Sequence, residues 1–276
     1  MSISLYDMKV PTVTRSIPPS LAAVVERLEL ERPVMVTTTY IRELVDEAGV
    51  RTPLNVVIQR LSERGWLLRT GVRGVWEFAP AERAGPYSDG DPLSTLRATL
   101  SACPDLPVAA ALGTAMWLLD LADRPPDPAE VALPPGVHIP IALKRTYLVV
   151  RCRARLRPVR IRGIPVHRSA TVLVHLAHRP SDVRSWSVAL ERLPDLVDAA
   201  AEAEIVAELE GRGHATHVRL AYLLSKVAPE LVDSLGIEPA GKVWFGPRGK
   251  LRRHDARWNI ADTILPFSPM DLEASR

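Results

Sequence analysis

The chain has 276 residues, 47% hydrophobic and 24% charged, with a formal net charge of +3. That composition excludes a disordered or fibrous chain and suits about two globular domains at ~100–200 residues each. No stretch is apolar enough to span a membrane, and the N-terminal MSISLYDMKVPTVTRS lacks the apolar run of a signal peptide, so a cytoplasmic protein is expected. So small a net charge does not argue nucleic-acid binding by itself; its distribution matters more.

Residues 18–80 read as a compact series. After Pro18-Pro19-Ser20, Leu21, Val24, Val25 and Leu28 recur at helical spacing, and Pro33 ends that helix. Val34-Met35-Val36 reads as a short edge strand. Thr37, Thr38 and Thr39 offer hydroxyl caps to a second helix, which carries Ile41, Leu44, Val45 and Ala48 on one face and stops at Gly49. Thr52-Pro53 reads as an N-cap followed by proline in the first helical position. The third helix buries Leu54, Val57, Ile58 and Leu61 and turns Thr52, Asn55, Val56, Gln59, Arg60 and Glu63 outward. WLLRTGVRGVWEFAP then predicts a β-hairpin with Arg69, Thr70 and Arg73 at a glycine-bearing tip.

Helix, strand, helix, turn, helix, hairpin is the order of a winged helix-turn-helix. Its third helix is sized for a major groove, and Asn, Gln and Arg pair with base edges. The wing tip suits phosphates, which backbone N–H groups and guanidinium both reach. The expected DNA contacts are Thr38, Thr39, Arg51, Thr52, Asn55, Gln59, Arg60, Arg69, Thr70 and Arg73. Winged helices also serve as protein-binding modules, and Glu43, Asp46, Glu47 and Glu63 nearly cancel the bases here.

The Pro-, Gly- and Asp-bearing AERAGPYSDGDP reads as linker, dividing the chain into residues 1–80, a linker at 81–91 and a second domain at 92–276. Leu93, Leu96 and Leu100 resume helical spacing, VAAALGTAMWLLDLA reads as a buried helix, and ADRPPDPAEVALPPG as a proline-rich loop. VHIPIAL, YLVVRCRARL and PVRIRGIPVH read as strands. SATVLVHLAH, VRSWSVALERL, AEAEIVAELEG and ATHVRLAYLLSKVA read as helices, and KVWFGP and DARWNIADTILP as a final β piece. Strands and helices are grouped rather than alternating, which predicts an α+β class.

RCRARLRPVRIR begins with Arg151, Arg153, Arg155 and Arg157 at every second position, and no Asp or Glu occurs from Val131 through Ser181. On a strand these four arginines share one face. That face is solvated, meets DNA beside the winged helix, or meets an acidic partner, with DNA slightly favoured.

The residues RLSERGWLLRTGVRGVWEFAP, GIPVHRSATVLVHLAHRP and RLAYLLSKV, in that order along the chain, resemble the AbiEi-type antitoxin family of bacterial type IV toxin–antitoxin systems. Ala170-Thr171-Val172 and Ala221 depart from the family's usual residues. The resemblance implies a cytoplasmic antitoxin that represses its own operon at promoter double-stranded DNA and neutralises a cognate nucleotidyltransferase-like toxin. The alternative is a stand-alone winged-helix regulator with a partner- or ligand-sensing C-terminal domain. No motif sets an oligomeric state.

Catalysis is not expected. Gly113-Thr114 is followed by Asp120 and Asp123 at the wrong spacing for nucleotidyl transfer, and Asp89 and Asp91 have no Gly-Ser ahead of them. No cofactor motif appears. His167, His175 and His178 have no carboxylate or thiol nearby in sequence, so no metal site is expected. Cys103 and Cys152 read as free thiols.

Overall fold

In the computed structural model, residues 17–83, 91–239 and 241–272 are described. The chain divides into two compact units, Met1–Leu106 and Pro107–Arg276.

The first unit runs α1 (Ala22–Glu31), β1 (Met35–Thr37), α2 (Thr38–Glu47), α3 (Leu54–Glu63), β2 (Leu67–Arg69), β3 (Val75–Phe78) and α4 (Ser94–Ala102). The strands form an antiparallel sheet of order β1-β3-β2, with β1 at an edge as expected. Leu21, Val24, Val25 and Leu28 join Ile41, Leu44 and Val45 of α2, Val57 and Leu61 of α3, and Trp66, Leu67 and Phe78 of the hairpin in one core. Each such side chain stabilises the unit by roughly 1.5–3 kcal/mol on burial, and helical spacing brings them to one face. Arg32 turns left-handed (φ 47°) just before Pro33, which ends α1. The Thr37 hydroxyl caps α2 by accepting the Tyr40 N–H at 3.1 Å.

Two expectations are corrected here. Thr52 does not cap α3: the N-cap is Pro53, whose carbonyl accepts the Val56 and Val57 N–H groups at 2.9 and 3.1 Å. Helix α4, expected to begin the second domain, lies in the first unit and packs on β1 and β3. Its Leu93 and Leu96 side are buried, and the Thr95 hydroxyl donates to the Thr70 carbonyl at 2.8 Å. The boundary between units therefore falls after Leu106 rather than at 81–91. Most of that expected linker (84–90), with Asp89, lies outside the described residues.

The second unit holds β4 (Ala109–Ala110), α5 (Leu112–Leu118), β5 (Glu130–Leu133), α6 (Ile141–Thr146), β6 (Leu148–Arg151), β7 (Val159–Ile161), β8 (Ile164–Val166), α7 (Ser169–His178), α8 (Trp186–Glu191), α9 (Leu193–Asp198), α10 (Glu202–Leu209), α11 (His214–Leu224), α12 (Pro229–Ser234), β9 (Val243–Phe245), β10 (Arg253–Asp255) and β11 (Ile260–Asp262). A five-stranded mixed sheet has order β6-β5-β4-β8-β7, and a three-stranded sheet has order β10-β11-β9. Helix α7 is buried from Ser169 through Ala177 and is surrounded by α5, α9, α10 and α11. It is the apolar centre of the unit, as its nearly unbroken run of small and branched residues requires. The α+β class holds.

Local readings fail where apolar runs are short. Glu130–Leu133 lies inside the stretch read as a proline-rich loop, yet it is a strand buried along its length between β4 and β6. The three-residue apolar run Val131–Leu133 has too little pattern to separate a strand from a loop. VHIPIAL, read as a strand, supplies the start of α6, and the front of VAAALGTAMWLLDLA is β4 rather than helix.

Candidate functional site

A groove of about 920 Å³ lies between α3 and the β2–β3 hairpin. Asn55, Gln59, Arg69 and Arg73 line it, and all four are exposed. Asn55 and Gln59 are one turn apart on α3, so their amides face the same way. Gly71 and Gly74 both take positive φ (77° and 76°), which lets the tip turn within a few residues. Thr38 holds that tip, its hydroxyl donating to the Gly74 carbonyl at 3.3 Å. Ser62 also lines the groove and was not singled out from sequence, although it stands three residues after Gln59 on the same face. Glu63 enters the groove too, and its carboxylate accepts from the Gln59 amide at 2.8 Å.

Other expected contacts go elsewhere. Thr70 is buried: its hydroxyl donates to the Val75 carbonyl at 2.8 Å and accepts the Val72 N–H at 3.3 Å. It shapes the wing and presents nothing outward. Thr39, Arg51 and Arg60 are exposed and Thr52 half-buried, but none lines the groove.

The arginine-rich stretch is not a single strand face. Strand β6 ends at Arg151, and residues 152–158 are irregular. The Arg151 guanidinium donates to the carbonyls of Pro134 and Val137 at 3.0 and 2.7 Å, which gives it a structural task. Arg153, Arg155 and Arg157 remain exposed. Among the described residues no strand pairs with residues 153–158, and side chains fix that backbone instead. Buried Glu208 accepts the Arg155 and Leu156 N–H groups at 3.0 and 2.9 Å, Arg212 donates to the Arg153 carbonyl at 2.7 Å, and Arg168 to the Arg157 carbonyl at 3.1 Å. The acids missing from residues 131–181 of the sequence are thus supplied in space. Glu208 serves the backbone, Glu204 pairs with Arg168 at 2.7 Å, and Asp182 pairs with Arg179 at 3.2 Å.

The histidine reading is corrected as well. A thiol does lie near: one ligand atom each from Cys152, His167 and His175, all buried, fall within 4.8 Å of one another. His178 stands apart, with its Nδ1 3.1 Å from the Thr216 hydroxyl. Burial pushes His167 down to about 4, with the charge of His175 adding to the effect. Burial also opposes charge on His175, but its hydrogen bond with Asp182 and the neighbouring Cys152 outweigh it and raise His175 to about 9. Sequence spacing hides this cluster because its members come from three elements.

A cleft of about 730 Å³ in the second unit is lined by Asp123, Arg124, Glu130, Arg184 and Arg192 among others. Glu130 Oε2 accepts the Gly113 N–H at 2.6 Å. Burial raises its carboxyl above the ordinary value, against the opposing pull of that hydrogen bond and of Arg184 and His175.

Residues 108–226 match the family model of the AbiEi antitoxin C-terminal domain. The span begins at the head of β4 and closes just past α11, so it contains the five-stranded sheet, the arginine stretch and the Cys152 cluster. The resemblance read from the sequence is borne out over these residues. The chain is also similar to the crystal structure of the RV2827C protein from Mycobacterium tuberculosis, with TM-score 0.79 and 26% sequence identity over 94% of this chain and 96% of that one. A comparison with curated proteins finds no match. Among the described residues no helix is long and apolar enough to cross a membrane.

Proposed function

We propose that this protein, whose residues 108–226 carry the likeness to the AbiEi antitoxin C-terminal domain, is a cytoplasmic, non-enzymatic antitoxin of a toxin–antitoxin system. Its second unit neutralises a cognate nucleotidyltransferase-like toxin, and its first unit represses the operon by binding promoter DNA. The family match over the sheet and α5–α11 carries the first part of this reading. The groove between α3 and the hairpin supports the second, because it joins two base-pairing amides, Asn55 and Gln59, to two phosphate-seeking guanidinium groups, Arg69 and Arg73.

Co-expression with the product of the neighbouring gene tests the reading. Growth restored by this chain, and not by an unrelated winged-helix protein, is expected. Toxicity unchanged by soluble chain would overturn it.

A second reading, a stand-alone regulator that senses a ligand, draws support from the charged cleft around Glu130, Arg184 and Arg192. It predicts promoter binding that responds to a small molecule and no rescue of growth.

A further inference from the structure

We propose that Cys152, His167 and His175 form a zinc site that fastens the five-stranded sheet to the central helix α7. Cys152 is the residue after β6, held by its N–H to the Leu133 carbonyl at 3.1 Å. His167 is the residue after β8, held by its N–H to the Ala110 carbonyl at 3.0 Å. His175 lies on α7. Backbone pairing therefore fixes two of the ligands from the sheet, and the helix brings the third.

Three observations point to a cation. The ligand atoms are within 4.8 Å of one another, and a tetrahedral ion with ordinary zinc–sulfur and zinc–nitrogen bonds needs them roughly 3.3–3.6 Å apart. Small side-chain rotations close a difference of at most about 1.5 Å. Both histidines keep a buried Nδ1 without a hydrogen-bond partner, a cost that a metal bond removes. Asp182 Oδ2 stands 3.1 Å from His175 Nε2, itself held by Arg179 at 3.2 Å. A carboxylate that accepts the Nε2 proton leaves Nδ1 with its lone pair free, the arrangement by which outer carboxylates orient metal-binding imidazoles.

The ligand chemistry selects the ion. One thiolate with two neutral imidazoles suits borderline-soft zinc and disfavours magnesium or calcium, which take oxygen. Charge also balances, since a divalent ion is offset by the Cys152 thiolate and the Asp182 carboxylate. Three protein ligands leave a fourth coordination position for water.

Metal-stripped full-length protein titrated with cobalt(II) tests this. One equivalent should bind and give tetrahedral visible bands with a thiolate-to-cobalt charge-transfer band in the near ultraviolet. Zinc should displace it. Cys103→Ser should leave the band in place, because Cys103 is exposed and far from the cluster in sequence. Cys152→Ser should abolish it, and Asp182→Asn should weaken binding about 10–100-fold. A wild-type chain that gives no charge-transfer band at stoichiometric cobalt overturns the proposal, whether or not the variants fold. So does a band that survives Cys152→Ser; the buried thiol and imidazoles would then be packing residues only.

Discussion

Glu208 on α10 holds Arg155 by the backbone: its Oε1 accepts the Arg155 N–H at 3.0 Å. The same oxygen takes the Leu156 N–H at 2.9 Å and the Thr171 hydroxyl at 2.7 Å, and Oε2 lies 3.4 Å from Arg212. One fully buried carboxylate thus orders an irregular cationic segment. Removing it leaves two backbone donors, a hydroxyl and a guanidinium short of an acceptor.

Glu208→Ala should accordingly destabilise the protein by about 3–5 kcal/mol, the range for breaking a buried charged pair. Urea unfolding followed by circular dichroism measures it. A loss under about 1 kcal/mol would mean that water replaces the carboxylate without strain, and that the segment is held by something else.

The groove on the first unit should read sequence through Asn55 and Gln59. Each bidentate contact discriminates by about 1–3 kcal/mol, so the double alanine variant should lose preference for its promoter over random duplex. Gln59 must first leave Glu63, its partner at 2.8 Å, and Glu63→Gln should therefore tighten binding by removing both the competitor and a repelling charge. Competition shift assays decide it: an unchanged preference in the double variant takes α3 out of the groove of DNA.

Arg69→Ala with Arg73→Ala should instead weaken binding to all sequences alike. Each lost phosphate contact lowers the slope of log affinity against log salt by about 0.9, so the pair should lower it by about 1.8. Fluorescence anisotropy across a salt series measures the slope, and no change would turn the hairpin away from phosphates. Thr70→Val is the control: the hydroxyl is buried against Val75, so the variant should cost stability and leave the slope alone.

The first unit was legible because its signals are local and repeated. Val24, Val25 and Leu28, then Ile41, Leu44 and Val45, mark helix faces by spacing, and Gly71 and Gly74 mark the wing tip. The second unit was read less well because its deciding contacts join distant residues. Glu130–Leu133 is a strand only because β4 and β6 flank it. Arg151 and Arg157 share a spacing but not a role, since the Pro134 and Val137 carbonyls take one and leave the other exposed. Thr70 looked like a wing contact because the sequence gives no sign that α4 folds back to cover it. Cys152 and His175 meet across 22 intervening positions, a distance no spacing rule spans.

Glu130 should make stability depend on pH. Burial raises its carboxyl above 4.5, so the folded state binds that proton more readily than the unfolded state does. Its contribution is present below the unfolded value and is lost as pH rises through the folded one. Arg184 and His175 face the group and limit the shift. Glu130→Gln keeps an oxygen for the Gly113 N–H and cannot ionise. Thermal melts from pH 4 to 7 should show less decline in the variant than in the parent chain, and parallel profiles would remove Glu130 as the source.

Arg153, Arg155 and Arg157 are exposed and stand on the irregular part of the cationic segment, where a partner surface can reach them. Changing these three to Gln keeps length and polarity and leaves Arg151 to its carbonyls. Because Glu208 and Arg212 hold the backbone here and not these side chains, the fold should survive. We expect promoter affinity to fall most at low salt, with the slope reduced by up to about 2.7, since three phosphate contacts at about 0.9 each are then lost. If promoter binding persists and rescue of growth fails, the three arginines face an acidic toxin surface. Retention of both activities would make the segment a solvated face whose order serves only the packing of α10 against α7.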